Sequence, residues 1–202
     1  MKAVAMPMDA PFRITICGIP ELNEHCAVGV THVLSILDPE MPDPPAFADF
    51  APHHRLALRF HDIIEATPGR IVPQQHDVER LLEFGRDIDH STAPHVLIHC
   101  HAGVSRSTAA TALILAQYDP GLPAADVLGL VAQIRPRAWP NLRILELGDT
   151  LLGRSGDLAA AAGPIYRRVL DRDPIMAELM TEGGRGREVV AGLSLSAPAE
   201  RR

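Results

Sequence analysis

The sequence is poor in aromatic side chains and contains no long apolar run. Aromatic residues make up only 4% of its 202 positions, so aliphatic side chains and alanine must fill most of any hydrophobic core. No stretch approaches the roughly 18 apolar residues of a membrane-spanning helix, and residues 1–10 lack the apolar segment of a signal peptide. We therefore expect a cytoplasmic protein with no membrane partner.

Positive charge is also scarce. Lysine and arginine total 19 residues against 25 aspartates and glutamates, which gives a formal net charge of -6. A dedicated nucleic-acid-binding domain presents a basic face, so we expect no nucleic-acid partner.

Cysteine is the third scarce residue, and only Cys17, Cys26 and Cys100 are present. Their odd number and unrelated spacings match neither a disulfide framework nor a zinc-binding pair. At least one of them should be a free thiol. A disulfide between Cys100 and Cys17 or Cys26 under oxidising conditions is one alternative, because reactive thiols oxidise readily, but core packing of Cys17 and no special role for Cys26 is the simpler interpretation.

Short β-rich runs alternate with segments of helical periodicity. Strands are predicted over 12–17, 29–37, 55–60 and 96–99, and the main helices over 74–88, 107–118, 124–134 and 142–152. This alternation predicts an α/β fold with a mostly parallel central sheet flanked by helices on both faces. Residues 153–163 are predicted to be a linker, and 165–180 a last helix interrupted near Pro174.

The chain is short enough for one domain. We expect that domain over residues 1–180, with its best-supported part over 12–152. Residues 181–202 are rich in glycine, serine and other small residues without a sustained period, so they are predicted to be a disordered tail.

The most specific feature is the segment His99–Ser107, which lies between a predicted strand and a predicted helix. Five residues separate Cys100 from Arg106, enough to wrap successive backbone N–H groups around one tetrahedral anion. The amino terminus of the following helix favours an anion at the same point. The segment is therefore predicted to bind phosphate, and its expected lining residues are His101, Ala102, Gly103, Val104, Ser105 and Arg106.

Three side chains of this loop have residue types suited to phosphoryl transfer. Cys100 is expected to be a thiolate nucleophile, because a helix amino terminus and a nearby arginine both favour the charged form. Arg106 offers a planar fork that matches two phosphate oxygens. Ser107 would stabilise the sulfur as it leaves, although a helix cap is the alternative role. His99 ends the strand and is expected to orient the loop, and His101 to contribute its backbone N–H.

The segment Ile98–Thr108 resembles the phosphate-binding signature of the protein tyrosine phosphatase superfamily, in particular its dual-specificity-like branch. Residues 29–34 and 135–141 are similar to that branch as well. The resemblance implies that Cys100 attacks phosphorus to give a phosphocysteine, while an aspartic acid protonates the departing oxygen and later activates water. We expect no cofactor and no metal.

Asp62 is the aspartate that we expect to be this acid. It follows a predicted strand, and the acid of the resembling branch is similarly placed. Asp77 is the main rival, with Asp87 and Asp89 behind it. Asp77 falls in the first turn of a predicted helix, where an acidic residue has a structural explanation.

Several other functions stay open at this point. A metal site among His90, His95, His99, Cys100 and His101 is disfavoured, because successive strand side chains point in opposite directions. Sulfur transfer and non-catalytic recognition of phosphorylated proteins are further alternatives. Arg135 and Arg137 could rim the pocket and attract anionic substrates, but exposed arginines at helix ends need no such role, and both are left outside the catalytic set.

The expected substrate is a phosphorylated protein or a small phosphomonoester. A deep pocket would favour phosphotyrosine, and a shallow one would also admit phosphoserine and phosphothreonine. Val104 precedes Ser105, so the loop lacks the additional lysine that a polyanionic inositol phosphate would favour. The sequence does not indicate an oligomeric state.

Overall fold

A four-stranded parallel sheet lies at the centre of the protein. The computed structural model describes residues 12–89 and 93–194. Its strands are β1 (Arg13–Gly18), β2 (His32–Leu37), β3 (His54–Arg59) and β4 (His95–Cys100). Their order across the sheet is β1-β4-β2-β3, and every neighbouring pair is parallel. The carboxyl ends of all four strands therefore meet at one edge, with β4 in the interior.

Eight α-helices and two short 3-10 helices surround the sheet in the described residues. The α-helices are α1 (Gln75–Arg86), α2 (Arg106–Tyr118), α3 (Ala124–Ile134), α4 (Leu142–Leu152), α5 (Asp157–Ala161), α6 (Gly163–Arg172), α7 (Ile175–Glu182) and α8 (Gly186–Leu193). The 3-10 helices span Ile19–His25 and Pro45–Asp49. In this part of the chain no helix has the length and apolarity needed to cross a membrane.

The two faces of the sheet are covered differently. One face carries Leu34 and Ile98 into the large core formed with the α-helices. Residues 106–116 of α2 are all buried, and its alanine, leucine and isoleucine side chains belong to this core. The other face carries Val33 and Leu97 into a smaller core. The two 3-10 helices cover this second core through Leu22 and Phe47. The predicted fold class is confirmed, and 3-10 rather than α-helices cover the second face.

Two segments differ from their predicted structure. Residues 153–163, predicted as a linker, contain α5 and the start of α6, and Leu158 of α5 is fully buried. Residues 181–194, predicted as part of a disordered tail, contain the end of α7 and all of α8. The disorder prediction is wrong for them because a few buried side chains, rather than a long apolar period, hold α8. Residues 195–202 lie outside the described residues.

Glu188 of α8 is the side chain that fastens this last segment to the domain. It is fully buried, and its carboxylate accepts hydrogen bonds from Trp139 Nε1 at 2.5 Å and from Leu142 N at 2.9 Å. Arg185 pairs with both carboxylate oxygens at 2.7 and 2.8 Å. Burial raises the pKa of Glu188, although Arg185 and the two hydrogen bonds oppose this effect. The last helix is thus tied to the segment before α4.

Removal of the Glu188 carboxylate should destabilise the whole domain. In Glu188→Ala, Arg185 loses a buried partner, and Trp139 Nε1 and Leu142 N lose their acceptors. The free energy of unfolding should fall by about 3 to 5 kcal/mol, as measured by urea denaturation. The control is Glu178→Ala on α7, because Glu178 is exposed, and its effect should stay within about 0.5 kcal/mol. Equal unfolding midpoints for the two variants would contradict this role of Glu188.

Candidate functional site

The loop from His101 to Ser105 connects the carboxyl end of β4 to the amino terminus of α2. It passes directly against the end of β1. Gly103 has a φ of +66°, and a Cβ atom there would lie 2.3 Å from the carbonyl carbon of Cys17. Only glycine fits this position, because the backbone conformation and the lack of space both exclude a side chain.

All five carbonyl groups of this loop are bonded on its outer side. Ile19 N donates to His101 O at 2.9 Å, and Trp139 N donates to Val104 O at 2.9 Å. The carbonyl oxygen of Ala102 accepts hydrogen bonds from Arg135 at 3.0 Å and from Arg137 at 3.2 Å. The carbonyl oxygen of Gly103 accepts one from Arg135 at 2.9 Å. The carbonyl oxygen of Ser105 accepts hydrogen bonds from the backbone N–H groups of Asn141 and Ala109 and from the Thr108 hydroxyl.

The amide groups of the loop have no such partners. Within the described parts of the chain, none of the backbone N–H groups of residues 102–106 donates to a protein acceptor. Because the carbonyls are fixed outward, these amides are directed into the concave side. Successive free N–H groups in a tight loop, at the amino terminus of a helix, form a binding site for an anion.

Arg135 holds the outer side of the loop by hydrogen bonds and is itself paired with Glu21. Its side chain is buried, and it donates through Nε to Gly103 O and through NH2 to Ala102 O. It also forms a bidentate pair with Glu21 at 2.9 and 2.8 Å, and Glu21 accepts from Gly18 N at 2.6 Å. The interpretation of Arg135 as an exposed arginine is therefore wrong. No sequence pattern indicates its partner Glu21, which lies far away in the chain.

Cys100 lies at the floor of the loop. The residue is 3% exposed, and its Sγ lies 3.2 Å from Oγ of Ser107, which is fully buried in the first turn of α2. The Ser107 hydroxyl can donate to a sulfur anion at this distance. It does not act as the helix cap, since the capping position is occupied by Ser105.

Among the described residues, the Arg106 side chain donates hydrogen bonds through one nitrogen, NH1. NH1 donates to Asp38 Oδ1 at 2.6 Å and to the carbonyl of Phe60 at 2.7 Å. Its Nε is buried and has no hydrogen-bond partner in the part of the chain that the structure describes. A buried guanidinium donor without a partner is costly, because desolvation is uncompensated. An anion in the loop would supply the missing acceptor.

Asp62 stands beside the loop after β3, and three donors converge on one of its oxygens. Oδ1 accepts from Ser105 Oγ at 2.7 Å and from Asn141 Nδ2 at 2.9 Å, and it lies 3.2 Å from NH1 of Arg185. Burial alone raises the pKa of Asp62, but Arg185, Arg106 and these hydrogen bonds outweigh burial and lower it. The side chain is still 30% exposed.

Asp77, the rival aspartate, has a structural contact of its own. It lies in the first turn of α1 and accepts a hydrogen bond from Gln74 N at 2.9 Å, as expected for a helix-capping carboxylate. The structure therefore brings Cys100, Arg106, Ser107 and Asp62 around one loop, and it places Asp77 at a helix terminus. Asp87 follows the other end of the same helix.

The histidines near the loop have separate partners. His99 is fully buried and lies 2.6 Å from Ser35 Oγ through Nε2. Burial lowers the pKa of His99 to about 4, so its imidazole is neutral. His95 bonds to Thr15 on β1, and His101 Nε2 accepts from Asp38 N. These rings therefore serve different contacts, and His90 lies outside the described residues.

The chain is similar to known proteins in its structure and not in its sequence. No protein-family model matches the sequence, and no curated protein does. Solved structures do match. The PTP-2 phosphatase of Cydia pomonella shares 19% identity with a TM-score of 0.55, over 68% of this chain and 84% of that one. DUSP15 shares 21% identity with a TM-score of 0.51, over 83% and 95% of the two chains.

The chain has the fold of the dual-specificity-like protein tyrosine phosphatases. A third structure with this fold is PTPMT1 in complex with PI(5)P, which is 14% identical with a TM-score of 0.50 and aligns over 70% of this chain and 91% of that one. The fold that the sequence resemblance implied is confirmed. At these identities the match establishes the fold, and the chemistry has to be argued from the site.

Replacement of Gly103 should abolish the anion site. In Gly103→Ala, the new Cβ would collide with the β1 backbone, so the loop must move and its amides lose their common focus. The free energy of unfolding should fall by about 2 kcal/mol, and the affinity for orthophosphate, measured by isothermal titration calorimetry, should fall at least about tenfold.

The matched control is Gly129→Ala in α3. A Cβ at Gly129 meets no atom within 4 Å, and alanine favours a helix over glycine by about 1 kcal/mol. This variant should bind orthophosphate as the wild type does and be no less stable. Wild-type phosphate affinity in Gly103→Ala would contradict the proposed geometry of the loop.

Proposed function

We propose that this protein is a phosphatase that hydrolyses phosphate monoesters through a phosphocysteine intermediate on Cys100. The observation that carries the proposal is a set of donors without protein acceptors in the loop that directly follows Cys100: within the described residues, neither the backbone amides of residues 102–106 nor the Nε of Arg106 has a hydrogen-bond partner. These donors suit a phosphate dianion, and the adjacent sulfur suits in-line attack on it.

In the first step the Cys100 thiolate attacks phosphorus. The S–P bond forms as the bond between phosphorus and the leaving oxygen breaks. The loop amides and Arg106 stabilise the charge on the three equatorial oxygens, and they are already oriented before the substrate arrives. Asp62 donates its proton to the leaving oxygen. The products are the phosphocysteine and a neutral alcohol or phenol.

In the second step a water molecule attacks the phosphocysteine. Asp62, now a carboxylate, accepts a proton from this water, the S–P bond breaks, and orthophosphate leaves. The departing sulfur regains its negative charge. Ser107 Oγ, at 3.2 Å from Sγ, donates a hydrogen bond to this charge and lowers the barrier for its departure.

Asp62 must hold a proton when the first step begins. Its pKa is lowered in the free protein, partly by Arg106. A bound phosphate dianion adds negative charge beside Arg106, which raises the pKa of Asp62 again and favours protonation in the complex. In the free protein the low pKa means that protonated Asp62 becomes rarer as the pH rises. The value of kcat/KM should therefore fall on the alkaline side.

The substrate class follows from this chemistry. The site is suited to phosphate monoesters on small molecules or on proteins, where phosphotyrosine, phosphoserine or phosphothreonine is the substrate and the side-chain oxygen of tyrosine, serine or threonine is the leaving group. The related fold of PTPMT1 was observed with PI(5)P. We place phosphorylated proteins first, because Val104 leaves the loop without the additional lysine suited to a polyanionic headgroup.

If Asp62 is the general acid, the loss of kcat on its replacement should depend on how readily the leaving group departs without a proton. Asp62→Asn cannot donate a proton, so kcat for phenyl phosphate or a phosphopeptide should fall by about 10² to 10⁴, and kcat for para-nitrophenyl phosphate much less. The alkaline fall in kcat/KM should also disappear. Both are measured by steady-state kinetics over pH.

The control for this experiment is Asp77→Asn, which changes an aspartate at a helix terminus. It should keep the wild-type ratio between the two substrates, with any loss confined to stability. A wild-type ratio in Asp62→Asn, combined with a changed ratio in Asp77→Asn, would transfer the role of the acid to Asp77.

If wild-type protein bound phosphopeptides but released no phosphate, the chain would be a recognition module.

A further inference from the structure

Arg185 connects the C-terminal helices to the catalytic aspartate. It precedes α8, its side chain is only 7% exposed, and NH1 lies 3.2 Å from Asp62 Oδ1. Its other two nitrogens pair with Glu188, which is tied in turn to Trp139 and Leu142. The guanidinium is therefore fixed on both sides, between a fully buried glutamate and Asp62.

All contacts that hold Asp62 converge on the same oxygen. Ser105 Oγ, Asn141 Nδ2 and Arg185 NH1 all contact Oδ1, and in the described residues Oδ2 has no hydrogen-bond partner. Protonation of Oδ1 would cost these interactions, two of them hydrogen bonds and one an ion pair. A proton on Asp62 therefore resides on Oδ2.

We propose that Arg185 is a positioning residue for the general acid: it fixes Asp62 through Oδ1 and leaves Oδ2 to carry the proton for the leaving group. This inference rests on the proposed role of Asp62. It assigns a function to a segment whose composition resembles a flexible tail. Arg185 acts on the reaction through Asp62, since among the described residues its side-chain hydrogen bonds and ion pairs go to Asp62 and Glu188 and not to the loop.

The charge of Arg185 has a second consequence, which concerns the pH range of activity. The charged and titratable groups that act on this pair come from several elements: Arg106 of α2, His101 of the loop, Tyr166 of α6 and Glu188 of α8. Arg106 and Arg185 are the cations that lower the pKa of Asp62. Loss of Arg185 should raise this pKa, and Asp62 would then keep its proton to higher pH.

The test is the pH profile of Arg185→Met with phenyl phosphate. The alkaline fall in kcat/KM should move to higher pH by about one unit. On the low-pH plateau, where Asp62 is protonated in both proteins, kcat should fall about tenfold, because the acid is less well oriented. KM should stay near the wild-type value. With para-nitrophenyl phosphate the loss of kcat should be small.

Two variants separate positioning from a general effect of charge or folding. Arg187→Met removes the next arginine along α8, which pairs with Glu65 and Glu146 at the surface, and it should leave the pH profile unchanged. Arg185→Lys keeps a positive charge and should lie closer to the wild type than to Arg185→Met. If Arg185→Met does not fold, Arg185→Met/Glu188→Gln, which removes both charges of the buried pair and keeps an amide oxygen as acceptor beside Trp139 and Leu142, is measured instead.

Asp62→Asn, measured in parallel, separates this inference from the proposed function. If Asp62→Asn abolishes the alkaline fall but a folded Arg185→Met leaves it at the wild-type pH, Arg185 has no positioning role and Asp62 keeps its own. If Asp62→Asn leaves the fall in place, Asp62 is not the acid and both proposals are overturned. A shift in Arg185→Met that persists in the Asp62→Asn background would also overturn the role of Arg185.

Discussion

The fixation of five consecutive carbonyls on the outside of one loop is the constraint on which the site depends. Once the carbonyls of residues 101–105 are bonded to Ile19 after β1, to Arg135 and to the segment before α4, the amides are left to face inward. The free energy needed to align them is supplied by folding and not by the substrate. Preorganised donors of this kind lose little to reorganisation when charge develops in a transition state.

The segment from Arg135 to Asn141 links this loop to the rest of the molecule. Arg135 holds two loop carbonyls, Trp139 and Asn141 hold two more, and the Asn141 side chain also reaches Asp62. The C-terminal helices bind the same segment through Glu188 and through Tyr166, whose hydroxyl donates to Pro140 O. Stability of the loop and placement of the acid are therefore coupled through one short stretch of chain.

Several helices and the phosphate-binding loop were predictable, because each is encoded by residues that are adjacent in the sequence. The helices over 124–134 and 142–152 match their predicted bounds, and the loop was identified from contiguous residues. What the sequence could not reveal are contacts between distant positions. Arg135 has the sequence context of an exposed helix-end residue, although it is paired with the distant Glu21, and Arg185 lies in a segment whose composition predicts disorder. A single buried ion pair between distant residues leaves no periodic pattern in the sequence, so it cannot be predicted from periodicity.

The most direct test of this account is the mass of the peptide that contains Cys100, determined after acid quench of a reaction with para-nitrophenyl phosphate. Asp62→Asn should accumulate the intermediate, because an activated leaving group does not need the acid but hydrolysis of the phosphocysteine needs the base. The phosphocysteine mechanism predicts one added phosphoryl group on Cys100 and none in Cys100→Ser. Release of orthophosphate without any phosphorylated Cys100 at any time point would contradict it.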